Sequence, residues 1–202
     1  MPEPAQRGEG VSPHGLRLRG GQVTALLGPA AARRALLDRL DDVTARCGGA
    51  SHGGLVRLTA PLPADSDLPL RDVLELEARP VELCAERWAA RLARALDLLP
   101  ELRGRLDAPV ADLPGLERHL AALAVALLRA PVAVVVDGLT TGLGARERRD
   151  VLDRLPALAA AGAAVVANEV DPVAALAVAR SALRLDADGG CVVEDLSAPV
   201  SA

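Results

Sequence analysis

The sequence predicts an α/β domain built on a mostly parallel sheet with flanking helices, and three observations predict it. Residues 132–136 (V-A-V-V-V) form a short, uninterrupted apolar run that ends at Asp137. Such a run reads as a strand buried on both faces, the kind found in parallel sheets. Residues 162–167 (G-A-A-V-V-A) repeat the pattern. Residues 116–129 are Ala/Leu-rich with no Gly or Pro inside, so a helix leads into the first run, and Pro131 stops it. Asp137 then stands at the carboxyl end of a buried strand, where open α/β sheets bind their ligands.

A chain of 202 residues is enough for one sizeable α/β domain with a small inserted subdomain. There is one Trp and no Phe, Tyr, Lys or Ile, so the core is built from Leu, Val and Ala and all side-chain basic charge except that of His is Arg. The absent residues are largely those with AT-rich codons, which points to a high-GC genome. Net charge is −4 with acids and bases interspersed, which argues against nucleic acid or an anionic membrane surface as partner. Cys47, Cys84 and Cys191 are far apart and odd in number, neither a metal pattern nor a disulfide framework, so a reduced, intracellular location follows. No apolar run reaches the length of a membrane span and no signal peptide is present, so any membrane role runs through a partner.

Taken in order, residues 1–10 are polar and read as a flexible tail. Residues 15–19 alternate as an edge strand, Gly20-Gly21 turns, and 22–27 form a second strand, giving an N-terminal antiparallel hairpin. Residues 39–54 read as a helix end and loop, and 55–59 (L-V-R-L-T) as a strand. Residues 81–99 have helical period, with Trp88, Leu92, Leu96 and Leu99 on one face. Trp88 is expected in the core rather than on a partner surface. Residues 151–161 form a helix re-started around Pro156, and 173–180 another. Residues 181–186 and 191–194 pair as a final hairpin around 187–190. One domain thus spans 11–194, and 195–202 form a second flexible tail.

The order helix, Pro131, apolar strand, Asp137, then T-T-G-L-G-A-R-E-R-R resembles the signature-helix, Walker B and D-loop segment of ATP-binding cassette (ABC) ATPases. In that family the order is L-S-G-G-E/Q, a helix, an apolar strand, D-E, and a loop like S-G-L-D. Leu113, Gly115 and Glu117 match the signature, with Pro114 in place of its Ser and Leu116 of its second Gly. Asp137 matches the Walker B Asp, a metal-holding position, but Gly138 stands where the catalytic Glu would be. Thr141, Gly142 and Leu143 match the D-loop, and Gly144 replaces its Asp. Upstream, L-R-L-R-G-G-Q-V-T-A-L-L-G-P resembles the start of such a domain, and G-P-A-A-A-R-R-A its phosphate loop. Of G-x-x-x-x-G-K-S/T, Gly28 is retained. Arg33 stands at the second Gly, Arg34 at the Lys and Ala35 at the Ser/Thr.

The other landmarks follow the same order. His14 is the only flat ring where the family stacks adenine. Residues 60–63 (A-P-L-P) lack the sensing Gln, and 68–74 resemble the L-T-V-R-E-N-L that opens a helical subdomain, here about 68–116. In the turn N-E-V-D-P, Asp171 and Pro172 match and Val170 takes the switch-His position. Glu169 is the one nearby group able to move a proton, and is expected to be a solvated loop acid.

The resemblance implies a P-loop NTPase-like (RecA-like) fold and an ABC transporter ATP-binding subunit with degenerate motifs. Ala35 has no oxygen for a metal, a Cβ at Arg33 hinders backbone approach, and Arg34 is not equivalent to Lys. Codon bias explains Lys to Arg but not the lost Gly and Ser. Of three readings, an active ATPase, a non-hydrolysing subunit and a stand-alone scaffold, the second is favoured. ATP and Mg²⁺ would be bound weakly if at all, at Gly28, Arg33, Arg34, Ala35 and Asp137. The partner would be a membrane permease or a motif-complete ABC subunit, in a homo- or heterodimer, docking around 60–74 and Trp88. The location would be cytoplasmic, attached to the inner face of the membrane through that partner. Pro29 followed by A-A-A-R-R-A-L-L further predicts that the helix after the first strand starts early, near 29–31, within the phosphate-loop segment.

Overall fold

A computed structural model describes residues 18–46, 54–78, 84–188 and 190–196. The strands are β1 (Val23–Leu27), β2 (Leu55–Leu58), β3 (Ala133–Asp137), β4 (Ala164–Asn168), β5 (Ser181–Leu185) and β6 (Cys191–Asp195). They form one sheet in the order β2-β3-β4-β1-β5-β6, parallel except for the antiparallel β5–β6 edge. β1, read from the sequence as half of a hairpin, is instead a central parallel strand between β4 and β5. Of the expected partner strand at 15–19, residues 15–17 lie outside the described residues and Leu18 and Arg19 are not in a strand; the tails at 1–10 and beyond Leu196, and His14, also lie outside them, while Gly20-Gly21 do turn.

The helices are α1 (Ala30–Arg46), α2 (Leu70–Ala78), α3 (Ala85–Leu98), α4 (Gly115–Arg129), α5 (Ala145–Leu152), α6 (Leu155–Ala160) and α7 (Pro172–Val178). α1 runs to Arg46, well past the helix end expected from 39 onward. α5 begins at Ala145, ahead of the helix expected at 151–161, and the break at Asp153-Arg154 re-starts the chain as α6 with Pro156 in its first turn. α4 ends at Ala130, which takes the left-handed conformation (φ 44°) and returns its N–H to Ala126 and Leu127 carbonyls. Pro131 behind it disfavours another helical residue there.

The alternation of each strand divides the core. Val134, Val136, Val165 and Ala167 pack with Val23 and Ala25 on the face covered by α4, α6 and α7. Leu26, Val135, Val166 and Leu183 face the other way, onto Leu36 and Leu37 of α1. α4 supplies Leu120, Leu123 and Leu128 to the larger cluster, each fully buried and stabilising by about 1.5–3 kcal/mol. α2 and α3 pack on α4, and Trp88, Leu92 and Leu96 lie partly buried against this cluster with Leu99 inside it.

Candidate functional site

The carboxyl ends of β1, β3 and β4 converge on one cavity of about 180 Å³, lined by Ala30, Arg33, Arg34, Leu37, Arg57, Asp137 and Asn168. The register explains the meeting. Asp137 is paired with Asn168 across β3–β4, and Arg57 of β2 with Val135, two residues before Asp137 and so on the same face. α1 crosses that face.

Every hydrogen-bonding atom of the Asp137 carboxylate is engaged. Arg57 Nε and Nη2 donate to its Oδ2 at 3.0 and 2.5 Å, and Asn168 Nδ2 donates to its Oδ1 at 2.5 Å. Arg57 also donates Nη1 to Asp41 of α1 at 2.6 Å, with Asp38 at 3.6 Å. Burial pulls the Arg57 guanidinium down, but the hydrogen bonds and charges of Asp137 and Asp41 more than offset it, so its pKa lies above the ordinary value. Asn168 passes the chain on, its Oδ1 accepting from Arg33 Nη1, while Arg33 Nε is buried without a partner.

Most of the segment that resembles a phosphate loop in sequence is wound into a helix. α1 begins at Ala30, with Arg33 N–H donating to the Pro29 carbonyl at 3.0 Å. Arg34 and Ala35 are exposed in its first turns, and Ala35 does not line the cavity. Gly28 has φ 118°, and a Cβ there would lie 2.3 Å from the Leu185 carbonyl oxygen of β5. Gly138 has φ 67° and donates its N–H to the Asn168 carbonyl at 2.7 Å, so glycine has a backbone reason there too. Leu113 is buried, Gly115 opens α4, and Glu117 pairs with Arg105 at 2.9 Å; none of the three lines the cavity.

The turn after β4 differs from expectation at Glu169. It is not a solvated acid but 2% exposed, accepting from the Thr140 hydroxyl at 2.6 Å. Asp171 caps α7 by accepting from the Val173 and Ala174 amides and pairs with Arg148; the Ala174 hydrogen bond leads in holding its pKa low. Burial pushes the Glu169 carboxyl up, with Thr140 opposing. The folded protein therefore holds that proton more tightly than the unfolded chain. Stability from Glu169 is full below the ordinary Glu range and is lost as pH rises through the elevated folded value. Glu169→Gln escapes this loss while keeping an acceptor for Thr140. The variant's melting temperature should exceed the parent's at pH 7, and the gap should close near pH 4. A gap independent of pH would contradict the assignment.

The fold superposes on solved structures over most of the chain. An ATP-binding subunit of an ABC transporter superposes with TM-score 0.67 at 18% identity, covering 90% of this chain and 82% of that one. CbiO1 of Clostridium perfringens, part of the ABC transporter complex CbiONQ, does so with TM-score 0.70 at 14% identity, covering 90% and 80%. The fold is that of an ABC ATPase domain. A Halobacterium salinarum protein named as a putative ABC transporter ATP-binding protein is 48% identical over 81 residues, 40% of this chain. That stretch spans about a third (34%) of the relative's length. No family model matches the chain.

Set against the Mg²⁺ that such a fold implies, the residues present do not fit. Asp137 is committed to Arg57 and Asn168, Ala35 has no oxygen, and no cluster of three His, Cys, Asp or Glu among the described residues could hold a metal. Sequence reasoning missed Arg57 and Asn168. Both left a signal: Arg57 is the one charge in an apolar strand, and Asn168, the chain's single asparagine, ends β4 as Asp137 ends β3. A larger cavity, about 520 Å³, opens at the other end of β1 beside Gln22, Asp153 and Arg180, away from these groups.

Proposed function

We propose that the chain is a non-hydrolysing ABC-type subunit, a pseudoenzyme that keeps the cassette fold within a membrane transport complex. The observation that carries this reading is the phosphate-loop segment itself, helical from Ala30 with Arg33, Arg34 and Ala35 inside it. A helix there leaves no run of free amides to wrap a triphosphate. Gly138 adds that no carboxylate follows Asp137 to polarise a water. Nucleotide at Gly28, Arg33, Arg34, Ala35 and Asp137 is bound weakly at most, and the metal role of Asp137 is lost to Arg57. Leu113, Gly115 and Glu117 form the signature segment at the start of α4.

The partner is a membrane permease or a motif-complete ABC subunit, in a homo- or heterodimer; CbiO1, similar in fold, is part of the ABC transporter complex CbiONQ. No described helix is long and apolar enough to cross a membrane, so attachment at the cytoplasmic face runs through the partner. Residues 11–194 act as one domain with 68–116 as its helical subdomain, and 60–74 with Trp88 as its docking side, where Leu68 is half exposed. Steady-state phosphate release with Mg-ATP tests the reading. Turnover should be indistinguishable from buffer. Turnover in the range of about 1–100 s⁻¹ that is abolished by Asp137→Asn would overturn it.

A further inference from the structure

The group at the metal position is not absent but replaced. The Arg57 guanidinium sits on Asp137 Oδ2 through two N–H donors and is fixed from behind by Asp41. A divalent cation beside a Walker B carboxylate would meet that positive charge. Next to it, Arg33 gives one Nη1 to a neutral amide and has no acidic partner among the described residues. Arg34 lines the same cavity, exposed. Two guanidinium groups, Arg33 and Arg34, lining a cavity whose one carboxylate is already neutralised call for an acceptor anion. At about 180 Å³ the cavity is smaller than the roughly 300–1,000 Å³ typical of whole small-molecule ligands. It suits a phosphate or diphosphate group rather than an entire nucleotide.

We propose that this cavity is a metal-free oxyanion site, in which the Arg57 guanidinium stands in for the divalent cation and Arg33 and Arg34 bind a phosphate-type group. The inference deepens the reading above, since it takes this edge of the sheet as the phosphate-facing site. The anion can come free or on a nucleotide, and the shared chemistry is the diphosphate.

Calorimetric titration of the full chain with inorganic pyrophosphate and with ADP, each in EDTA and in Mg²⁺, tests it. Pyrophosphate should bind in EDTA, with affinity unchanged within about twofold by Mg²⁺, and ADP should bind within about tenfold of it. Arg33→Gln with Arg34→Gln should weaken binding about tenfold or more, the scale of a lost charge-assisted hydrogen bond. Arg57→Gln, freeing Asp137, should weaken binding in EDTA and make it Mg²⁺-dependent, whereas Arg57→Lys should stay metal-independent. Circular dichroism certifies each variant as folded. Tightening of the parent by Mg²⁺ of tenfold or more, no pyrophosphate binding, ADP binding a hundredfold tighter, or folded arginine variants that bind like the parent would overturn the proposal. The two readings fail separately. Tight Mg-ATP binding without turnover would sink this one and leave the non-hydrolysing subunit standing. Metal-independent pyrophosphate binding in a protein that hydrolyses ATP would do the reverse.

Discussion

Replacing Gly28 with alanine should lower the melting temperature by about 10 °C. Two effects add at this one position. Its φ of 118° belongs to a region that glycine alone occupies readily, and forcing an L-residue there costs about 1–3 kcal/mol. The new methyl would also lie 2.3 Å from the Leu185 carbonyl oxygen and 3.1 Å from its Cβ. Neither neighbour is a flexible chain end, because β5 is hydrogen-bonded to β1 through Leu27 and Arg184. Overpacking of this kind adds about 1–3 kcal/mol. A total of about 4 kcal/mol corresponds to about 8–16 °C in a domain of this size. Gly21→Ala separates the two effects, since Gly21 has φ 80° with open space around it and should lose about 1–2 kcal/mol. Equal losses at the two sites, read by thermal and urea unfolding, would remove the collision from the account. The retained glycine of the phosphate-loop segment then has its reason in sheet packing, whatever else it once served.

That case shows what the sequence made legible. The buried strands leading to Asp137 and to the turn at Asn168 were plain, because a parallel strand covered on both faces must be a short apolar run. The early start of α1 was plain as well, because Pro29 and three alanines leave little to resist helix. The position of β1 was not. A turn before an apolar strand looks the same whether its partner is the adjacent segment or β4, far along the chain, and only the register Val23–Val165 decides it. Glu169 was misread for a similar reason. A polar residue in a turn reads as solvated, and its burial depends on Thr140 from another loop. The site was half legible: Asp137 stood out by its place at a strand end, while Arg57 became meaningful only once β2 lay beside β3.

The Arg57–Asp137 pair should show strong coupling in a double-mutant cycle. The two side chains are only 25% and 20% exposed, so the pair is screened less than a surface ion pair, though not fully desolvated. Arg57→Met leaves Asp137 and Asp41 facing each other without their shared cation. It should cost about 2–3 kcal/mol, below the 3–5 kcal/mol of breaking a fully buried pair. Asp137→Asn should cost less, about 1–2 kcal/mol, because Arg57 keeps Asp41 at 2.6 Å and an amide oxygen can still accept from it. In the double variant no carboxylate remains at position 137 to miss the guanidinium, so the combined loss should fall short of the sum by at least about 1 kcal/mol. Urea unfolding at constant ionic strength measures all four corners. A strictly additive result would mean that Asp41 and Asp38 alone hold Arg57, and that its closeness to Asp137 contributes nothing. Coupling of the expected size would identify the guanidinium as the resident cation of this carboxylate, and raising the salt should then weaken it far less than it weakens the exposed Arg103–Asp97 pair.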